Sequence, residues 1–199
     1  MGSVLASVAA RRLADAGARG LLSFGFAGGL DPTLSAGSVV LPTEIVSGDG
    51  ARFPTTMVWR ERLSVAIAKQ RPAAGALLSS AAPIDSVAGK AAAFRDTGAV
   101  AVDMESLSIA QVAETRGLSF IAVRVVVDTA ADALPRAVLA ANRAGHLSVG
   151  RLLGGLALAP LDLVALIRLA QRYRAATRSL AAVARAGLPT PLVVGARVA

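Results

Sequence analysis

The chain has 199 residues, of which 54% are hydrophobic, 4% aromatic and 17% charged. This composition excludes an intrinsically disordered protein, because it offers enough apolar surface to offset the entropy lost on folding, and the length suits one packed core. The absence of cysteine excludes disulfides and thiolate zinc sites, and a single histidine excludes a multi-histidine metal site. We therefore predict no metal site, and expect carboxylates, hydroxyls, arginine and backbone to supply the chemistry.

The formal net charge of +8 comes from the last third of the chain. Residues 1–135 hold twelve basic and twelve acidic side chains, whereas residues 136–199 hold nine arginines and one acid, Asp162. Nucleic-acid binding usually combines such charge with aromatic side chains, and Tyr173 is the only aromatic residue after Phe120. We therefore predict no nucleic-acid partner, and an anionic membrane surface fits the charge at least as well.

Helical and extended patterns alternate from the start of the chain, which predicts an α/β fold. The predicted helices cover residues 4–13, 57–70, 88–95 and 104–116. The predicted strands cover residues 20–25, 38–46, 77–82, 99–103 and 119–128, and the first of them runs into a glycine-rich turn at 25–29. The last strand is the most strongly predicted one, because its run of apolar and β-branched residues is typical of a strand buried on both faces.

The C-terminal third is predicted to be helical. Residues 161–186 bring Leu163, Leu166, Ile167, Leu169 and Ala170 near one another, with Arg168, Arg172, Arg174 and Arg178 on the polar side. The segment is either a helix packed on the domain with a solvated arginine face, or an interfacial helix on a membrane. Residues 152–170 contain charged residues and a proline, so they are not expected to span a membrane. The opening residues resemble an amphipathic helix and no secretory leader, so we expect a cytoplasmic protein.

Two acids lie where predicted strands end. Glu105 follows strand 99–103 at the start of a helix, and Asp128 ends the last strand. Ligands of open α/β sheets bind at the carboxyl ends of strands, which makes both acids functional candidates. Alternatively, Glu105 is an acid favoured by the helix dipole and Asp128 is a helix N-cap. Turn 25–29 could bring backbone amides close to an anion or a ribose. Trp59 is predicted to lie in the packed core or at an interface, and His146 is predicted to be a surface or cap residue.

Four segments together resemble the nucleoside phosphorylase and nucleosidase superfamily. They are SFGFAGGL at 23–30, AGSVVLP at 36–42, AVDMES at 101–106 and VRVVVDTAAD at 123–132. The resemblance implies a three-layer α/β/α fold with a central mixed sheet. It implies a phosphorylase-like domain at 1–150, short at its N-terminus because residues 1–19 do not match the strand and loop that open other members. Residues 151–199 would form a basic helical extension packed on this domain.

The same resemblance implies roles for individual residues. Glu105 resembles the glutamate that holds the ribose hydroxyls, with Met104 packing beneath the sugar. Asp128 resembles the aspartate that protonates the purine at N7, and Arg124 is more consistent with a structural role than a catalytic one. The sugar and nucleophile site would be lined by Gly25, Phe26, Ala27 and Gly28. Purine contacts would come from Pro83 and Ile84.

Within the superfamily the chain is most similar to the hopanoid-associated phosphorylases, on the basis of Leu30-Asp31-Pro32 and the arginine-rich tail. That similarity implies release of adenine from adenosylhopane, with water or inorganic phosphate as co-substrate and no other cofactor. The alternatives are a soluble purine nucleoside phosphorylase, a methylthioadenosine-type nucleosidase, or a catalytically impaired membrane-surface binding protein. The expected partners are a small-molecule nucleoside with or without a triterpenoid tail, the inner membrane surface through residues 161–186, and further copies in a homo-oligomer.

Overall fold

The computed structural model describes residues 2–134 and 160–191, and every structural statement below concerns those residues. The helices are α1 (Ser3–Asp15), α2 (Met57–Ala66), α3 (Val87–Thr97), α4 (Ser106–Thr115) and α5 (Pro160–Arg185), and a 3-10 turn covers Ala68–Gln70. The strands are β1 (Gly20–Gly29), β2 (Val39–Val40), β3 (Glu44–Ser47), β4 (Arg52–Pro54), β5 (Ala76–Ser79), β6 (Ala99–Asp103) and β7 (Ser119–Asp128).

The seven strands form one mixed sheet in the order β2-β7-β1-β6-β5-β3-β4. Strand β1 runs parallel to β7 over its whole length, and β5 runs parallel to both β6 and β3. The pairs β1/β6, β2/β7 and β3/β4 are antiparallel. Strand β1 pairs with β6 only at its end, where Gly28 and Gly29 lie opposite Val102 and Ala101.

Strand β7 lies between two helical layers, because alternate side chains of a strand point to opposite faces. Phe120, Ala122 and Val126 pack in the core that includes residues of α1 and α4. Ile121, Val123 and Val125 pack in a second core with side chains of α2 and α5. The predicted three-layer α/β/α fold with a central mixed sheet is therefore confirmed.

Three elements of the sheet differ from the sequence prediction. Residues 25–29 are not a turn, since β1 continues to Gly29, where it pairs with β6. The single strand expected at 38–46 is two strands, separated at Pro42, which has no N–H to donate. Its neighbours Leu41 and Thr43 donate instead to the carbonyls of Ala73 and Gly75. Strand β4 was not predicted at all.

Helix α5 packs on the sheet through its C-terminal half. Ala176 and Val183 are fully buried in the core beside β7, while Arg168, Arg174 and Arg178 are exposed. Ala170, expected on the packed face, is exposed. No helix among residues 2–134 and 160–191 is long and apolar enough to cross a membrane. His146 and the predicted domain boundary at 150/151 lie outside the described residues, so both remain predictions.

Candidate active site

A cavity of about 220 Å³ lies at the carboxyl ends of β6 and β7. It brings together eight of the nine residues that the sequence analysis assigned to the site: Phe26, Ala27, Gly28, Pro83, Ile84, Met104, Glu105 and Asp128. Five further residues complete its wall: Ala82, Val102, Asp103, Val127 and Leu134. Parallel strands β5 and β6 and parallel strands β1 and β7 meet here, so four separate segments converge on one small space.

Glu105 projects from the point where β6 ends and α4 begins. It occupies the N-cap position of α4 but its side chain makes no capping hydrogen bond within the described structure, which leaves the carboxylate available to a ligand. Burial raises the pKa of Glu105, and the neighbouring charge of Asp103 raises it further, while the charge of Arg124 opposes both. A half-buried, accessible carboxylate of this kind can accept hydrogen bonds from two neighbouring hydroxyl groups.

A buried polar cluster supports Glu105 from below. The Arg124 Nη2 lies 2.5 Å from the Asp103 Oδ2 and donates to the hydroxyls of Ser23 at 2.6 Å and Ser106 at 2.9 Å. Asp103 also accepts a hydrogen bond from the Ser106 backbone N–H at 3.1 Å, which ties the end of β6 to the first turn of α4. These bonds link β1, β6, α4 and β7 and hold the backbone on both sides of Glu105. Within the described residues, the buried Nε of Arg124 has no hydrogen-bond partner.

Gly25 is the one predicted site residue that lies outside the cavity. A Cβ atom at this position would lie 2.5 Å from the Nη1 of Arg124, so a larger residue would force the buried guanidinium to move. Gly25 instead lines a second, larger cavity of about 590 Å³ between α1 and β1. The second cavity shares Phe26 and Glu105 with the first, and its walls are mostly apolar.

Asp128 ends β7 and faces the first cavity, where its Oδ2 accepts a hydrogen bond from the Nζ of Lys90. The alternative that Asp128 is an N-cap finds no support in residues 129–134, which form no helix. The backbone of Gly28 lies directly against this carboxylate, since a Cβ there would be 3.2 Å from Oδ2. Any side chain at position 28 would therefore displace Asp128 or narrow the cavity.

The loop after Asp128 is attached to helix α5. Asp132 accepts hydrogen bonds from the backbone N–H and hydroxyl of Thr129, at 2.9 and 2.6 Å, and pairs with Arg172 of α5 at 2.7 Å. Partial burial alone would raise the pKa of Asp132, but the hydrogen bonds from Thr129 and Arg172 outweigh it and lower that pKa. The ring of Tyr173 of α5 also packs against Phe26 in the cavity wall, with centroids 5.0 Å apart and ring planes inclined by 50°. The basic helix therefore contacts the site at two points.

Sequence reasoning missed the side chains that hold the acids in place. Lys90, Asp103 and Asp132 were not predicted as site residues, although Lys90 is one of only two lysines among 21 basic residues. That scarcity, on a helix otherwise rich in alanine, was the available signal.

Trp59 packs in the core and donates a hydrogen bond to the Pro189 carbonyl at 2.6 Å. Within the described residues, no group of three or more metal-ligating side chains could hold an ion.

Comparison with known proteins identifies relatives of this fold. The family described as the Phosphorylase superfamily matches residues 1–150. The 5′-methylthioadenosine/S-adenosylhomocysteine nucleosidase of Neisseria meningitidis, solved with methylthio-immucillin-A, shares 27% identity and has a TM-score of 0.61, covering 66% of each chain. The Helicobacter pylori nucleosidase of the same name shares 20% identity at a TM-score of 0.61, covering 66% of this chain and 65% of that one.

Futalosine hydrolase of Helicobacter pylori has the same fold, with a TM-score of 0.61 and 18% identity over 66% of this chain and 65% of that one. The alignments span just under two thirds of the length of all three relatives. No protein among those with curated functions matches the sequence.

Proposed function

Because this chain belongs to the phosphorylase superfamily, we propose that it cleaves the N-glycosidic bond of a purine nucleoside. The observation that carries the proposal is the convergence of two carboxylates, Glu105 and Asp128, on one cavity of about 220 Å³. The two acids have different surroundings. Glu105 carries no hydrogen bond from a side chain of the described residues, whereas Asp128 is paired with a buried amine.

The chemistry of this bond requires two such groups. As the bond breaks, positive charge develops on the ribosyl ring and negative charge on the departing base. A carboxylate that grips the sugar hydroxyls stabilises the first charge, and an acid that protonates the base neutralises the second. We assign the first task to Glu105, with Met104 beneath the sugar, and the second to Asp128. Pro83 and Ile84 then provide the apolar wall against which the base lies.

The substrate we propose is an adenosine with an apolar group at its 5′ position, specifically adenosylhopane. The second cavity supports this choice, because it adjoins Glu105 and Phe26 and is lined by apolar side chains such as Leu13, Leu21 and Ile109. An apolar 5′ substituent that lay there would lose its contact with water while the ribose remained at Glu105. The acceptor of the ribosyl group is water or inorganic phosphate.

A 5′-methylthioadenosine-type nucleosidase is the second candidate function. The observation that favours it is the similarity to the Neisseria meningitidis enzyme, which is the strongest in identity of those compared above. A methylthio group is much smaller than a hopane, so it would leave most of the 590 Å³ cavity empty. The two candidates therefore differ in how strongly turnover depends on the size of the 5′ substituent.

Access to a water-insoluble substrate would be easier for a protein that binds to the membrane surface. Arg168, Arg174 and Arg178 are exposed on α5, and the same helix contacts the site through Arg172 and Tyr173. We propose that this helix holds the protein on anionic lipid. Binding to vesicles that contain anionic lipid, lost at high salt, would support peripheral attachment.

A homo-oligomer is also part of the proposal. Helix α1 leaves Val4, Leu5, Val8 and Leu13 largely exposed to solvent, and apolar side chains grouped in this way are typical of a surface that another subunit covers. Light scattering combined with size-exclusion chromatography would test it, and a monomer at micromolar concentration would contradict it.

Adenine release is the experiment that tests the catalytic proposal. Adenosylhopane dispersed in detergent, 5′-methylthioadenosine and adenosine are each incubated with the protein, with and without inorganic phosphate. Asp128→Asn is the matched control and should lose most of the activity, because it keeps the shape of the side chain and removes the acid. We expect release from adenosylhopane above the other two. Preference for 5′-methylthioadenosine would support the second candidate, and no release from any nucleoside would overturn both.

A further inference from the structure

Lys90 is the largest fully buried side chain of the described structure, with 1% of its side chain exposed. It lies in the first turns of α3, whose Ser86 N-cap accepts a hydrogen bond from the Gly89 backbone N–H. A buried amine is unfavourable unless its donors are satisfied. The side chain of Lys90 meets this requirement by reaching across to the loop that follows β7.

Three oxygen atoms surround the amine, one on Asp128 at the end of β7 and two in the loop after it. Its Nζ donates to the Oδ2 of Asp128, to the carbonyl of Thr129 at 2.8 Å and to the carbonyl of Asp132 at 2.9 Å. An ammonium group has three N–H donors and no acceptor, so each donor has one partner. Lys90 thus fixes both the carboxylate and the backbone that carries it, and brings a positive charge to the wall of the cavity.

We propose that Lys90 is a positioning residue for the protonation of the leaving base, an assignment that rests on the proposed function. Its bond to Oδ2 holds the carboxyl so that Oδ1 is left for the base, and within the described residues no other side chain bonds to Oδ1. In the step itself the glycosidic C–N bond breaks, its electron pair goes to the base, and an oxygen of water or inorganic phosphate forms a bond to the anomeric carbon. Asp128 enters the step protonated, with a proton taken from solvent. The O–H bond of Asp128 breaks as an N–H bond forms on the base. Asp128 is then a carboxylate, which the charge of Lys90 stabilises, and Lys90 keeps its own protons.

Arginine would not serve the same purpose, although it is the chain's usual basic residue. Its donors spread over a planar fork, whereas the three acceptors here converge on a single nitrogen. The other lysine, Lys69, lies exposed on the 3-10 turn after α2, far along the chain from the site. Substituting Lys69 removes the same charge and the same side chain from the surface, so it serves as the control.

The test compares substrates whose leaving groups differ in their need for a proton. Lys90→Met keeps the length of the side chain and removes the charge, and Lys69→Met is the control. Turnover is measured with the best purine nucleoside of the wild-type protein and with 4-nitrophenyl β-D-ribofuranoside, whose leaving group departs as a stable anion. We expect kcat for the purine nucleoside to fall about 10²–10⁴-fold in Lys90→Met, the range of general acid catalysis, with little change in KM. Cleavage of the nitrophenyl riboside should be largely retained, and Lys69→Met should match the wild-type protein with both substrates.

Equal loss with both substrates, or unchanged turnover of the purine nucleoside, would overturn the assignment. If Lys90→Met does not fold, Lys90→Gln replaces it, since its amide still donates to the loop. A double variant gives an independent measure: in the background of Asp128→Asn, the further change Lys90→Met should not lower kcat again, because Lys90 acts through Asp128. A wild-type protein without turnover of any nucleoside would instead overturn the proposed function.

Discussion

Neutralising Asp103 tests whether burial makes the ion pair beneath the site important for stability. The Asp103 Oδ2 and Arg124 Nη2 lie 2.5 Å apart, and the two side chains are 1% and 5% exposed. The surface pair Asp15–Arg116 is almost as close, at 2.7 Å, but its side chains are 59% and 46% exposed. The two pairs differ in burial far more than in distance, so the second is a control for the first.

The expected magnitudes follow from that difference. Asp103→Asn keeps the shape of the side chain but leaves the Arg124 guanidinium without a counter-charge in the core. Breaking a buried pair in this way costs about 3–5 kcal/mol, whereas exposed pairs contribute about 0–1 kcal/mol. In a domain of this size about 1 kcal/mol changes Tm by about 2–4 °C. We therefore expect Tm to fall by roughly 6–20 °C in Asp103→Asn and by no more than about 4 °C in Asp15→Asn.

Urea and thermal unfolding, followed by circular dichroism and by the fluorescence of Trp59, measure both variants. Trp59 is the only tryptophan and is buried in the core beside β7, so its emission reports on loss of packing. Adding Arg124→Met to Asp103→Asn should restore part of the stability, because no buried charge is then left unpaired. If Asp103→Asn costs no more than Asp15→Asn, burial does not decide the strength of these pairs and the reasoning is refuted.

Four further outcomes are expected at the site. Glu105→Gln should lower kcat/KM about 10²–10⁴-fold, since each of two charge-assisted hydrogen bonds contributes about 1.5–3 kcal/mol. Steady-state kinetics with the substrate of the wild-type protein measures this loss, and a smaller loss would show that the carboxylate does not bind the sugar. Burial raises the pKa of Glu105 above the ordinary value of 4.5. The activity of the wild-type protein should therefore fall as the pH drops through that raised pKa, because the carboxylate gains a proton. The pH profile of Glu105→Gln should lack this fall at low pH. Phe26→Ser should lower the preference for an apolar 5′ group over adenosine about tenfold, measured as a ratio of kcat/KM values, and an unchanged ratio would count against an apolar subsite. Gly25→Ala should destabilise the fold by about 1–3 kcal/mol, because the new methyl group would clash with Arg124. The control in the same unfolding assay is Gly48→Ala, whose Cβ would have nothing within 4 Å. Equal stability of the two variants would contradict the clash.

Local patterns in the sequence were enough to predict the layered fold and the position of both acids. The apolar run of β7 predicted a strand buried on both faces, and its bounds at 119–128 agree with the structure. The same run places Asp128 at a strand end, as the pattern at 99–103 places Glu105. These predictions succeed because the alternation of apolar residues and the change of period at a strand end are properties of neighbouring residues.

The prediction of a turn at 25–29 was wrong for a reason that lies elsewhere in the chain. Glycine is common both in turns and where backbones approach closely. Here Gly28 and Gly29 pair with β6, more than 70 positions later, and lie against Asp128 and Val126. Nothing in residues 25–29 distinguishes the two uses of glycine, so the pairing partner decided between strand and turn.

The amino-acid sequence alone determined the α/β class, the basic C-terminal helix and the two carboxylates at strand ends. Only the tertiary structure decided what surrounds each carboxylate: Lys90 against Asp128, 38 positions away, and Asp103 with Arg124 beneath Glu105. The physical reason is that burial and charge pairing depend on which distant segments the sheet brings together. A single lysine or arginine in the sequence has the same charge whether it faces water or a buried carboxylate, and its effect on catalysis depends on that difference.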